Sequence, residues 1–270
     1  MLTIFGAALM AIFWGVCVPA LFLPLTALFA ERSRRSQAVI FVVLTLSTFA
    51  ISHAFAILAV DLTGPTIDSI VVSLLAMSLI GGAALIHRKG ADRAACELAN
   101  ALAPSVRIAG KLTGTFVFAM ALVQFLVVVL RYVFGWNSIF LQESVTYFHG
   151  ATFLLAVGYA FLTNDHVRVD ILYSKASLRR RAAIDLIGIY LFLFPFALLL
   201  VAMAAPYVAN SWSAREGSAE QSGIQAIFLL KSLIPIFALL LAGAGFVAAT
   251  DAAGVIRKET TGASSQRATA

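Results

Sequence analysis

The chain has 270 residues, of which 61% are hydrophobic and 12% charged, and its mean hydropathy is +0.96; a soluble domain is about half apolar and a quarter charged. This excludes a fold whose main solvent is water. The formal net charge of +6 does not indicate nucleic acid, because the basic residues fall at the ends of apolar stretches rather than on one clustered surface.

Seven stretches approach or exceed the roughly 20 apolar residues needed for one helical crossing of a bilayer, where a helix satisfies its own backbone polar groups. They are residues 2–30, 37–60, 69–86, 112–130, 144–163, 186–208 and 224–250. The first carries no charge, lacks a basic start and is too long for a secretory signal, so it reads as a crossing. The expected fold is therefore an all-α integral membrane protein of about seven transmembrane helices embedded in a lipid bilayer. Cys17 lies in an apolar stretch and Cys96 in a charged connector, so both read as packing thiols rather than a disulfide framework.

Lys and Arg are retained on the cytoplasmic side during insertion. Arg32, Arg34 and Arg35 follow the first stretch; Arg88, Lys89, Arg93, Arg107 and Lys111 follow the third. Arg168, Lys175, Arg179, Arg180 and Arg181 follow the fifth, and Arg257, Lys258 and Arg267 follow the last. The alternate connections hold only Arg131, Arg215 and Lys231. This asymmetry predicts the N-terminus outside and the C-terminus in the cytoplasm.

Residues 1–86 form an N-terminal extension of three helices. Residues 87–110 form a polar connector with Pro104 near its end, and its Ala-rich part, 91–103, reads either as an interfacial amphipathic helix or as a solvated linker. Residues 111–257 then form a four-helix unit of two successive hairpins. The turn Phe134-Gly135-Trp136-Asn137 closes the first hairpin, and Tyr132, Trp136, Tyr207 and Trp212 fit an aromatic belt at the bilayer interface. Gly110 and Gly114 match the small-xxx-small packing pattern. The stretch 224–250 contains Lys231 and Pro235; it reads as a surface helix bending at Pro235 or as one tilted helix with Lys231 snorkelling outward. The tail, 258–270, is small and polar and reads as disordered.

Ionisable side chains at membrane depth are costly, so each is a functional candidate. Arg131 and Glu143 flank the Gly135-Trp136 turn and read as an ion pair pinning the hairpin, as partner contacts, or as interfacial charges reaching water. His53 and His149, on different helices, could ligate haem in a membrane redox subunit, or hydrogen-bond to neighbouring helices. The segment 164–170 is the densest polar cluster. If the fifth helix continues through it, His166 and Asp170 share a face at i and i+4, as a structural network or docking surface rather than a metal site. There is no phosphate-cradling Gly-rich loop, zinc-protease motif or nucleophile elbow, and no pair of broken-helix repeats. An enzyme is not expected, and neither is a bound cofactor or metal; a stand-alone seven-helix transporter or sensor is a further alternative.

One resemblance stands out. Arg131-Tyr132-Val133-Phe134, then Glu143, then an apolar helix followed by Asp165-His166-Val167-Arg168-Val169-Asp170 resembles the small permease subunit of TRAP (tripartite ATP-independent periplasmic) transporters, the DctQ-like family, over about 111–257. The family pattern has an RYVF-like helix end, a W-x-E-E-like start of the next helix and an H-[IV]-x-V-D segment. This chain departs from it at Gln142-Glu143-Ser144, where the family often has paired acids, and Trp136 precedes Glu143 by more than the usual gap. The resemblance implies four helices with both ends cytoplasmic, in a bacterial inner membrane. It also implies a large permease subunit as partner, a periplasmic substrate-binding protein, and sodium-driven uptake of organic acids. Arg131, Trp136, Glu143, His166, Arg168 and Asp170 then become structural or subunit-interface positions, and none becomes catalytic.

Overall fold

The structure is a computed structural model that describes residues 16–59, 65–166, 173 and 175–268, with side chains described over 16–49, 73–166, 173 and 175–260. The elements in chain order are α1 (Val18–Ala20), α2 (Leu23–Ala27), α3 (Arg34–Ala59), α4 (Pro65–Lys89), α5 (Ala91–Val133), α6 (Ile139–Thr163), α7 (Leu178–Gly188), a π-helical turn (Ile189–Leu193), α8 (Phe194–Ala214) and α9 (Ile227–Ala268). Among the described residues, four helical runs are long and apolar enough to cross a membrane: Ala91–Val133, Ile139–Thr163, Leu178–Ala214 and Ile227–Thr260. They contain the four expected crossings of the second half, apart from residues 224–226 at the start of the last. Helices α3 and α4 run 26 and 25 residues, and part of each lies outside the described side chains.

Contacts gather the chain into two units that do not follow chain order. Among the described residues, one comprises those of 102–166 and 193–245; the other comprises those of 16–101, 173–192 and 246–268.

In the first unit, small residues allow close helix approach, as expected where lipid supplies no hydrophobic drive between helices. A β-carbon on Gly110 of α5 would run into the Tyr159 ring of α6. On Gly158 of α6 it would lie 3.0 Å from the Leu240 carbonyl oxygen of α9 and 3.2 Å from Val106 of α5. Only half of the expected glycine pair packs, since a side chain at Gly114 would meet open space. The hairpin closes where the sequence places it. Gly135 adopts φ +65°, the Trp136 N–H donates to the Leu130 carbonyl at 3.0 Å, and the Ser138 hydroxyl caps α6 by accepting from Leu141 N–H.

In the second unit, the described part of the first apolar stretch is two short pieces rather than one run. In an unbroken α-helix the Leu25 N–H would donate to the Leu21 carbonyl. Here the Tyr190 hydroxyl stands between them, accepting from Leu25 N–H at 3.2 Å and donating to Leu21 O at 2.6 Å; an inserted side chain of this kind breaks a helix. Tyr190 lies in the π-helical turn, just ahead of Pro195, whose missing N–H leaves a preceding carbonyl without its usual donor. Helices α3 and α4 pack with Phe41, 1% exposed, against Gly82. Gln37, 3% exposed, ties three segments: its amide NH2 donates to Ala30 O and Arg32 O, and its carbonyl accepts from Ala91 N–H.

Two expectations change and one pair of alternatives is resolved. The 91–103 segment is neither a separate interfacial helix nor a linker, but the start of α5, which runs 43 residues with Pro104 inside it. Ala91, Ala94, Ala95 and Ala99 are buried in the second unit, and that packing outweighs the local cost of the proline. Of the two readings of 224–250, one continuous helix is found, with Pro235 inside. The tail expected to be disordered extends that helix to Ala268; no proline interrupts 258–268, and its Ala, Gln, Lys and Arg are good helix formers.

Candidate functional site

The densest polar arrangement in the first unit is the connection between α8 and α9, residues 215–226, with two carboxylates that hold it. Helix α8 ends in a left-handed residue, Arg215, at φ 46°. The Arg215 N–H donates to Trp212 O and the Glu216 N–H to Ser211 O, the Schellman pattern that satisfies the last carbonyls of a helix. Glycine is usual at such a position because a β-carbon is penalised there.

Beyond that turn the loop folds onto Glu143, in the second turn of α6. The Ser218 hydroxyl donates to Glu143 Oε1, and the Ile224 N–H donates to Glu143 Oε2 at 2.6 Å. The Ser218 N–H closes the base of the loop by donating to Ile224 O at 3.2 Å. Gly223 lies against this carboxylate so tightly that a β-carbon would come within 2.6 Å of both its oxygens.

The second carboxylate, Glu216, accepts from Ser211 Oγ at 2.6 Å and from Lys231 Nζ at 2.5 Å. Lys231 also stands 4.1 Å from the centroid of the Tyr207 ring, a cation–π contact. The hydrogen bond from Lys231, and then that from Ser211, hold the Glu216 carboxyl below the usual carboxylate range. Trp212 completes the clamp: its indole N–H donates to Ser232 Oγ at 2.8 Å, and its ring meets Phe228 edge-on at 4.7 Å. Both carboxylates are thus engaged in holding a loop, which makes the arrangement a hydrogen-bonded polar lip.

Several expected partnerships are not made. Arg131 and Glu143 do not pair: the Arg131 guanidinium lies 6.0 Å from its own neighbour's ring, Tyr132, while Glu143 faces the loop. The reason is energetic. An exposed ion pair contributes little, whereas facing the loop lets the Glu143 carboxylate accept two hydrogen bonds, one of them from a backbone N–H. Lys231 does not snorkel outward; its side chain is 16% exposed, beside Glu216. Trp136, at 59%, and Tyr132, at 78%, are exposed.

Helix α6 does not continue through 164–170. It ends at Thr163 because Asn164 takes the left-handed conformation, φ 59°, and Asp170, the expected i+4 partner of His166, lies outside the described residues. His166 instead turns back on the helix end, with Nδ1 3.4 Å from Ala160 O and its ring stacked on Phe161 at 5.3 Å. Arg168 and Asp170 lie outside the described residues. His149 is exposed and stacks on Phe153 at 6.5 Å; the side chain of His53 lies outside the described residues. Among the described residues, no three His, Cys, Asp or Glu gather as a metal site would require.

The roles of Ser218, Gly223 and Glu216 were not legible in the sequence. Their partners are 75 residues away for Ser218 with Glu143 and 15 for Lys231 with Glu216. No helical or strand period links positions separated in this way.

A family model described as "Tripartite ATP-independent periplasmic transporters, DctQ component" matches residues 120–254. This covers most of the clamp-bearing unit, including Arg131, Glu143, the loop 215–226 and Lys231. Comparison with curated proteins and with solved structures gives no match.

Proposed function

The chain belongs to the DctQ component family of tripartite ATP-independent periplasmic transporters, and from that membership we propose that it is the small, non-catalytic permease subunit of such a system in a bacterial inner membrane. In this reading it braces a large permease subunit while that partner carries organic acids, delivered by a periplasmic binding protein, in uptake driven by a sodium gradient. The observation that carries the proposal is the family match across 120–254.

The geometry supports a bracing role. In the most apolar window of α5 no residue is buried within the chain, and Phe118, Leu122 and Phe125 are 66%, 53% and 69% exposed. Such a face has the character of a surface that lipid and a second membrane protein share. The clamp keeps the α8–α9 loop in one shape, on the side that charge asymmetry predicts to be periplasmic, where a partner meets a preformed lip at little ordering cost.

Co-expression with a large permease of this transporter class tests the proposal. The two chains are expected to co-purify as one stable complex. Failure to associate, with the chain monodisperse and functional alone, would overturn it.

A further inference from the structure

The second unit carries a charged feature that the clamp and the family assignment leave unused. Arg34, the first residue of α3, donates from Nη1 to His87 O at 3.2 Å and to Arg88 O at 2.6 Å, the terminal carbonyls of α4. These bonds bring the start of one helix to the end of the other and occupy Arg34. Arg35 and Arg88, beside it, are exposed and have no acidic partner among the described residues. The neighbouring acids are largely occupied: Asp92 pairs with Arg257 at 3.0 Å and Glu97 with Lys89 at 2.6 Å. Glu31, Arg32 and Arg93 are exposed as well, one acid to two further bases, so the end remains cationic.

Each arginine also heads an aliphatic stripe. On α3, Arg35 is followed at spacings of four, four and three by Val39, Val43 and Leu46, which are 61%, 54% and 46% exposed. On α4, Arg88 is preceded by exposed Ala84, then Ile80 at 71% and Met77 at 70%. Residues three and four apart share a helix face. Each helix therefore presents a cation at its polar end and bare hydrocarbon immediately along the same face, the complement of a molecule with an anionic head and an apolar tail.

We propose that the α3–α4 pair binds an anionic phospholipid, with the phosphate at Arg35 and Arg88 and acyl chain along Val39, Val43 and Leu46 or Met77 and Ile80. The aliphatic stripes select a lipid over free phosphate, and the arginines select an anionic head over a zwitterionic one. The inference rests on the chain being a membrane protein and not on the identity of its permease partner, so the two stand or fall separately.

The test is native mass spectrometry of the full chain titrated with phosphatidylglycerol, with phosphatidylcholine of the same chains, and with inorganic phosphate. The parent chain is expected to prefer phosphatidylglycerol. The double variant Arg35→Gln/Arg88→Gln is expected to lose about thirty-fold in that binding, and Arg35→Lys/Arg88→Lys to keep most of it. Unchanged binding in the glutamine variant, equal retention of phosphatidylcholine, or occupancy by inorganic phosphate equal to that of the lipid would each overturn the proposal. Should the glutamine pair fail to fold, Val43→Asn/Ile80→Asn, which alters both aliphatic stripes and leaves both arginines in place, is expected to weaken phosphatidylglycerol binding; no change there would also overturn it.

Discussion

Replacing Glu143 by Ala removes the acceptor for Ser218 Oγ and Ile224 N–H together. Hydrogen bonds to a charged acceptor are stronger than neutral ones, but Glu143 is partly exposed and water replaces part of what is lost. Opening of the loop is therefore expected to be roughly tenfold faster. Hydrogen exchange reads this directly at the Ile224 amide, whose acceptor is the carboxylate itself. The exchange is local, so amides of α5 around Val106, in the same unit, are expected to stay unchanged. Gly223→Ala tests the same contact from the other side, because its β-carbon would occupy the space held by the Glu143 carboxylate. Ile224 exchange that is unaffected by Glu143→Ala would refute the reasoning, since no other acceptor in this account protects that amide.

The other predictions concern the same loop and the helix contacts beneath it. Arg215→Gly is expected to slow exchange across 215–226 and to stabilise the turn by about 0.5–1 kcal/mol, because glycine adopts the left-handed conformation without penalty; faster exchange would show that the Arg215 side chain matters more than its backbone. The Glu216 carboxyl is held below its ordinary value in the folded chain, so its link to Lys231 stabilises the loop fully above the unfolded carboxylate pKa, about 4.3, and is lost as pH falls through the lower folded value. Limited proteolysis at stepped pH checks this: protection of the loop should decline only on acidification, and loss on raising the pH toward neutrality would contradict it. Gly158→Val is expected to cost about 1–3 kcal/mol by forcing α6 away from the Leu240 carbonyl and Val106, seen as a lowered thermal midpoint. His166→Ala, which removes the contact at Ala160 O and the stack on Phe161, is expected to reduce the yield of assembled complex more than its affinity for substrate; normal assembly with weakened substrate binding would contradict it.

The parts of the fold that were readable follow from one physical requirement. A crossing in lipid must be long and apolar, so 112–130, 144–163, 186–208 and 224–250 could be located by composition, and the described helices contain them, apart from three residues at the start of the last. Boundaries were less readable where tertiary packing overrides local signals. Pro104 looks like a stop, yet the buried Ala91, Ala94, Ala95 and Ala99 carry one helix through it. The end of α6 at Thr163 depends on Asn164 adopting a left-handed conformation, which a sequence permits but does not impose. Glu143 could be singled out as an ionisable group near a helix start, but its partner could not. Antiparallel symmetry about the Gly135 turn pointed to Arg131, whereas the connection from α8 to α9 supplies Ser218 and Ile224, brought near only by the packing of three helices.

The central claim is that this chain supports transport by a partner and does not carry substrate itself. Proteoliposome uptake of a radiolabelled organic acid, with the binding protein outside and a sodium gradient imposed, tests it most directly. Vesicles holding this chain with its large permease are expected to accumulate label, while vesicles holding this chain alone should stay at background. Sodium-dependent accumulation by this chain alone would contradict the account.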